Sequence, residues 1–395
     1  MGDLNQLRRL MAELEDQLVV CMRCGICQSV CPVFRQTGWE SDVARGKIVL
    51  LDGLAQALVN DPEGVAQRLN KCLLCGSCAA NCPSGVKALD IFLKARAILT
   101  GYMGLSSAKR LIFRGMLARP RLFDGLSRLA AGFQGLVSRP VNDIIGTSCA
   151  RINTPLLADR HFRTLAPKPF HQMAASADTP AGESGRKAGF FVGCLIDKFF
   201  PSIGQAVITV FQHHGVGLFL PAGQACCGIP AISSGDRRTF EDLVVHNLKC
   251  FEAGRFDVLV TACATCTSTI QKVWPSLTTG LPAEVRRRVA DLAAKTIDIN
   301  AFLVDQVGVT ANDADGADGR LRVTYHDPCH LKKSLGVASQ PRTMIMASTG
   351  CELKEMTEAD GCCGMGGSFN LQHYDISRQI GGRKAEAIMA TGADV

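Results

Sequence analysis

Two stretches of this chain carry the same punctuation. CMRCGICQSVCP at residues 21–32 returns fifty-one positions later as CLLCGSCAANCP, each placing four cysteines at one spacing and closing on Cys-Pro. In a small secreted chain nineteen cysteines would read as disulfides. This chain has 395 residues. Its opening, MGDLNQLRRLMAELEDQLVV, mixes acids and bases with no long apolar core, and is not expected to be a signal peptide. No window of eighteen apolar residues exists, so no transmembrane helix is expected. A cytoplasmic location follows, with a place on the cytoplasmic face of the membrane left open. There, dense thiol points to metal.

Three cysteines at two-residue gaps can wrap a short loop around three irons of a 4Fe–4S cube, and the fourth ligand must arrive from elsewhere. In the bacterial ferredoxin run C-x2-C-x2-C-x3-C-P the last cysteine serves the other cluster. Cys21, Cys24, Cys27 and Cys82 are therefore expected around one cluster, and Cys72, Cys75, Cys78 and Cys31 around the second. Gly25 and Gly76 would let backbone approach the sulfides, and each proline is expected to keep the following segment from competing as a helix. A pair of zinc sites is the other chemistry open to eight cysteines; the shared register with both prolines favours iron. The intervening residues read as two helices split at Asp61-Pro62, a longer insert than a minimal ferredoxin has, hence a helical ferredoxin domain over 1–100. Arg45 and Lys47 on that insert read as surface residues or as contacts to a partner.

Residues 86–140 carry apolar side chains at three- and four-residue steps. A basic helical connector is expected over 101–170, with Lys109, Arg110, Arg114, Arg119, Arg121, Arg128 and Arg139 against Asp124. Its apolar side carries Leu111, Ile112, Phe113, Leu117, Leu122 and Phe123. Such a segment is either an ordinary surface helix pair or a face for anionic lipid or a partner. The net charge of +7 is too diffuse to argue for nucleic acid. Residues 171–188, small and polar, read as an exposed linker.

Beyond it, short apolar runs alternate with helical ones, as in a parallel α/β layer. Cys194, Cys226, Cys227, Cys263 and Cys266 each follow an expected strand end, where ligands gather in open sheets. The arrangement begins again: Cys329 is followed thirty-three residues later by Cys362-Cys363-Gly364, against thirty-two from Cys194 to Cys226. Adjacent cysteines suit a cluster whose neighbouring sulfurs bind different irons; zinc in one copy remains the alternative. The second copy has no closing C-x2-C before Val395, so it is either truncated, the simpler reading, or a three-cysteine site. The repeats are expected over 189–300 and 301–395. The fold class is thus α+β overall, with an N-terminal helical ferredoxin domain, a helical connector and a pseudo-twofold α/β domain.

His326 and His330 flank Cys329 and are candidates for sulfur, metal or proton contact, or for structural hydrogen bonds. His213 and His214 read as a helix C-terminus. Cys149, Cys250 and Cys351 lack partners at ligand spacing and read as buried free thiols. Lys332 and Lys333 form a solvated face or offset the charge of a reduced cluster.

As a set, CMRCGICQSVCP, CLLCGSCAANCPSGV, CCGIPA, HDPCH and CCGMGG resemble the iron–sulfur subunit of glycolate oxidase and related lactate oxidase or dehydrogenase subunits, over nearly the whole chain. The same CCG domains recur in heterodisulfide reductase subunits and in the anchor subunit of anaerobic glycerol-3-phosphate dehydrogenase. The resemblance implies a noncubane 4Fe–4S cluster on Cys194, Cys226, Cys227, Cys263 and Cys266, and leaves the metal at Cys329, Cys362 and Cys363 open. It also implies a separate FAD-containing subunit that oxidises the 2-hydroxy acid, with electrons leaving toward a quinone or another carrier. GCCGMGGSF lacks the strand–helix context of a nucleotide site, so no flavin or nucleotide site is expected here and no catalytic residue is named. The rival implied functions are disulfide reduction at the CCG cluster and the glycerol-3-phosphate anchor role.

Overall fold

The computed structural model describes residues 3–142, 147–151, 160–311 and 320–395. The connector at 101–170 and the second repeat at 301–395 each include residues outside these ranges. The chain divides into two compact units that do not follow its linear order. One contains Met1–Ser106, Ile229–Arg237 and Asn300–Val395; the other contains Ser107–Gly228 and Arg238–Ile299.

The first unit is mainly helical. Asp3 caps Leu4–Ala12 by accepting from the Asn5 amide at 2.9 Å, and Leu7 and Met11 turn inward against Ala44–Ala55. Asp61 caps Pro62–Asn70 by accepting from the Gly64 amide at 2.8 Å, with Pro62 in the first turn where its missing N–H costs nothing. Ala88–Met103 buries Ile91, Phe92, Ala95 and Leu99. The C-terminal part adds a two-stranded parallel sheet, with Cys351 of Cys351–Leu353 opposite Leu321 of Leu321–Val323, and the helix Tyr374–Met389. Val33 and Leu73 from the two cysteine-run regions share one core with Phe369 and Ile380.

In the second unit a five-stranded sheet runs Ala177–Asp178, Gly217–Leu220, Lys187–Phe190, Val258–Thr261, Thr296–Asp298. The last four are parallel, as the alternating pattern implies; the first pairs antiparallel at the edge. Phe190, Phe191, Phe211, Phe240 and Trp274 are fully buried in this unit. Residues 171–188 are largely exposed, yet they are not simply a tether. Ala177 lies opposite Leu220, and Thr179 donates its amide to the Leu218 carbonyl at 2.8 Å. A small, polar composition serves an edge strand as well as a linker, because one side of it stays wet.

The basic connector forms helices, chiefly Pro120–Val137. Ser127 is the only buried residue among those described in that helix. Leu122, Leu126, Leu129, Phe133 and Leu136, at alternating four- and three-residue steps, are exposed. No helix among the described residues is long and apolar enough to cross a membrane.

Candidate metal centres

Each ferredoxin-type run folds into the same loop. Arg23 and Leu74, one residue before the second cysteine of their runs, take left-handed backbone at φ 58° and 53°. Gly25 and Gly76, one residue after it, do so at 88° and 76° and open the short helices Ile26–Val30 and Ser77–Ala80. Glycine tolerates this conformation where a side chain would strain, and such alternation turns successive amides toward one centre. Leu74 donates its amide to Cys72 Sγ at 3.4 Å, Val86 to Cys82 Sγ at 3.4 Å and Phe34 to Cys31 Sγ at 3.5 Å.

The two prolines behave differently from the expectation. Pro32 does not prevent a helix: it opens Pro32–Thr37, capped by the Cys31 sulfur. Proline at the first helical position loses no hydrogen bond and already has the right φ. Pro83 enters a turn instead.

Cys21, Cys24, Cys27 and Cys82 line one cavity together with Arg45 and Val86. Cys31, Cys72, Cys75 and Cys78 line another with Asp42, Lys47 and Lys71. Each grouping takes three cysteines from one run and the last from the other; Cys78 also touches the first cavity. Burial pushes the Cys31 thiol up to about 11 and raises Cys27 and Cys78 as well. Cys75 is held at about 5, chiefly by its hydrogen bond with Cys362. Four sulfurs gathered around each cavity are what a thiolate-ligated cluster needs, and all nineteen cysteines are free thiols. The donor set therefore fits two four-thiolate clusters.

Lys47 and Arg45 require a correction. Lys47 is not on the surface: it is 1% exposed, and its ammonium donates to the Asp42 carbonyl. Arg45 is half-buried, ion-paired with Glu40 at 2.6 Å, and donates to the Arg23 carbonyl at 3.1 Å. The helix Ala44–Ala55 buries seven of its residues, so its polar positions do not mark its outer side. Arg96, invisible in the sequence pattern, is also buried and donates to the carbonyls of Leu69 (2.5 Å), Cys72 (3.0 Å) and Ser233 (2.8 Å).

In the second unit, five cysteines form a continuous series of sulfur contacts. Cys194 Sγ lies 3.6 Å from Cys226 Sγ; Cys226 bonds Cys227, Cys227 bonds Cys266, and Cys266 bonds Cys263. The Cys194 and Cys227 sulfurs push the Cys226 thiol up, and Cys227 and Cys263 do the same to Cys266. A Cβ on Gly193, at φ 72°, would come within 3.0 Å of Cys266 Sγ, so the backbone is pressed against the sulfurs. The donor set fits a cluster of five thiolates. Sequence reasoning missed the side chains behind it. Asn247, fully buried, accepts from the Ala225 amide at 2.9 Å and donates to the Cys226 carbonyl at 3.0 Å; Trp274 Nε1 donates to the Cys227 carbonyl at 2.8 Å. Both are far along the chain from the cysteines they steady, and only Trp274, one of two tryptophans, offered any cue.

The second copy is assembled differently. Cys329 and Cys362 are hydrogen-bonded, and Cys362 also bonds Cys75. Cys363 is exposed and belongs to no sulfur contact found among the described residues. Hydrogen-bonding roles fall to both histidines: His326 Nδ1 donates to the Ala359 carbonyl at 3.0 Å, and His330 Nε2 to the Leu74 carbonyl at 3.2 Å, on the loop of the second run. Lys333 donates to Ser77 Oγ at 2.7 Å and the Asp360 carbonyl at 2.9 Å, beside Cys75; Lys332 pairs with Asp327 at 3.2 Å. His213 ends the helix Pro201–His213, with His214 as its cap. Cys149, Cys250 and Cys351 are half-buried rather than buried.

Eight thiols in two interlocked groups and further thiol clusters define the class: a two-cluster iron–sulfur protein with cysteine-rich domains. A family model described as a 4Fe-4S dicluster domain matches residues 17–86, and one described as a cysteine-rich domain matches residues 188–271 and 323–395. The chain belongs to the glycolate oxidase iron–sulfur subunit family: it is 30% identical over 393 residues to a probable glycolate oxidase iron-sulfur subunit of Bacillus subtilis, covering 96% of this chain and 86% of that protein. It is also 28% identical to a fumarate reductase (CoM/CoB) subunit of Methanothermobacter marburgensis, over 95% of this chain and 64% of that one. Lactate utilization protein A of an Exiguobacterium species is 33% identical over 52% of this chain and 82% of its own.

Proposed function

We propose that this chain is the electron-carrying subunit of a flavin-dependent 2-hydroxy-acid dehydrogenase complex, taking electrons from an FAD-containing partner and passing them to a quinone or another carrier. The observation that carries this reading is the interlocked pair of cysteine cavities next to the sulfur series Cys75–Cys362–Cys329. In it, Cys21, Cys24, Cys27 and Cys82 hold one 4Fe–4S cluster and Cys72, Cys75, Cys78 and Cys31 the second; Cys194, Cys226, Cys227, Cys263 and Cys266 hold a noncubane cluster. Clusters so bound supply one-electron steps at low reorganisation cost. The chain's own residues fix the spacing of the ligands and donate amide hydrogen bonds to their sulfurs. Glycolate and lactate are the substrate class that the relatives' names suggest for the complex.

The connector helix Pro120–Val137 supports a place at the membrane surface. Arg121 and Arg128 lie on the same helix as its exposed leucines and Phe133, Arg114 and Arg119 precede it, and its one acid, Asp124, is engaged by Lys198. That combination suits the cytoplasmic face of an anionic bilayer, where a quinone pool would also be reached.

Tagged chain isolated anaerobically from its own host tests the proposal. The expected result is a co-purifying flavoprotein and bleaching of the iron–sulfur absorbance when glycolate or lactate is added. Disulfide turnover by the chain without any flavoprotein would overturn it in favour of a catalytic CCG subunit. Zinc in place of iron and sulfide would overturn it in favour of a scaffold.

A further inference from the structure

The two candidate cluster cavities differ in their fixed charge. At the first, every nearby cation has a carboxylate of its own: Arg45 pairs with Glu40 at 2.6 Å, and Arg23, largely exposed, with Asp52 at 3.1 Å. At the second, Lys47 and Arg96 are buried, and neither forms an ion pair among the described residues. Each is bonded only to backbone carbonyls, one of them that of Cys72. Asp42 lines the same cavity, but its carboxylate faces Arg68 at 3.4 Å and Lys71 at 3.9 Å. A buried cation without an anion is costly, and a protein keeps two of them only where something else supplies negative charge. The largest attraction on both comes from the cysteine sulfurs, with Asp42 a lesser one on Lys47. Burial pulls Lys47 below its ordinary range while Cys72, Cys31 and, after them, Asp42 pull it back up; burial also lowers Arg96, against the opposing pull of Cys72.

We propose that Lys47 and Arg96 set the reduction potential of the cluster on Cys31, Cys72, Cys75 and Cys78 above that of the cluster on Cys21, Cys24, Cys27 and Cys82, so that an electron rests beside Cys362. The proposal rests on the ligand assignment given above. A four-thiolate cluster is anionic and becomes more so on reduction, so its potential follows net charge, hydrogen bonds and solvent exposure. Burial alone would work against the added electron at the second site. Two buried charges with no ion pair outweigh that, because attraction at low dielectric is far stronger than in water, whereas the paired and wetter cations at the first site offer little. Lys333, bonded to Ser77 and acting on Cys75, adds a smaller push in the same direction.

The test is a redox titration of the anaerobically prepared full chain, followed by the paramagnetic signals of the reduced clusters. The two cubanes of the wild type should give two separate reduction waves, told apart from any wave of the third cluster by comparison with a Cys226→Ala chain. Lys47→Met should move the upper wave down, cutting the reduced-to-oxidised ratio at the wild-type midpoint roughly tenfold, a shift of ~59 mV for one electron. Arg96→Met should move the same wave. Lys47→Arg should leave it in place, and Arg45→Gln should not touch it. The charge assignment is overturned if Lys47→Met moves the lower wave or neither, or if Lys47→Arg moves the upper wave as far as Lys47→Met does. Where Lys47→Met fails to retain iron, Lys333→Met decides: a smaller downward step of the upper wave supports the proposal and an unmoved wave refutes it. Iron and sulfide short of two cubanes in wild type would refute the ligand assignment itself, which a misplaced wave would not.

Discussion

Cys31 illustrates what a single residue does here. It belongs by sequence to the first run and by position to the second cavity, where it also caps the helix Pro32–Thr37. Cys31→Ala is therefore expected to abolish one cluster signal and leave the other, and the surviving cluster should be the one whose other three cysteines share its own run. Iron analysis with spectroscopy of Cys31→Ala beside Cys82→Ala checks this, since the two variants should lose opposite signals. Asn247 carries a different load. Its amide group satisfies one buried N–H and one buried carbonyl on either side of Cys226. Asn247→Leu keeps the branched shape of the side chain and orphans both, so it should cost about 2 kcal/mol of stability in urea unfolding of the full chain. The cysteines were legible in the sequence because metal geometry fixes their spacing. Asn247, Arg96 and Lys47 were not, because a buried polar residue on a helix looks like a surface one until its neighbours are known.

At the scale of elements, Pro120–Val137 reverses a common relation. An amphipathic helix usually turns its apolar side to the core, and here Phe133 is 60% and Leu136 73% exposed. If that side meets lipid, the chain should sediment with vesicles containing anionic phosphatidylglycerol and not with neutral phosphatidylcholine alone. Leu129→Asp with Phe133→Asp should weaken this several-fold or more and leave the cluster spectra unchanged. Equal binding by the variant would rule out this helix as the contact. The strands after residue 187 were readable from short apolar runs, and the sheet they build is parallel as that pattern requires. The edge strand Ala177–Asp178 was not readable, because two residues carry no period and the pairing depends on Leu220, far along the chain.

For the whole molecule, stability and metal content should be inseparable in the first unit. If the cysteines bind iron as proposed, their charge acts on buried Lys47 and Arg96, so removing iron should strip the cations of compensation as well as unclamp the loops. Anaerobic chelation should lower the thermal midpoint of the full chain markedly, with the loss reported by amide exchange falling in residues 20–100 more than in the five-stranded sheet. Uniform exchange across both would contradict this. The sequence repeat suggested two matching halves side by side in one α/β domain. In the structure residues 300–395 pack with the N-terminal helices, through contacts such as Cys75 with Cys362 and His330 with Leu74 that no local pattern encodes.

That regrouping bears on biosynthesis. The chain leaves its first unit after Ser106, returns for Ile229–Arg237, and comes back for good only at Asn300. The ribosome thus releases all eight N-terminal cysteines proposed as ligands long before Cys362 and Phe369 emerge to pack against Cys31, Leu73 and Cys75. Until then Leu73 and Cys75 lack that cover, which would leave this end of the second run open to cluster delivery and to oxidants alike.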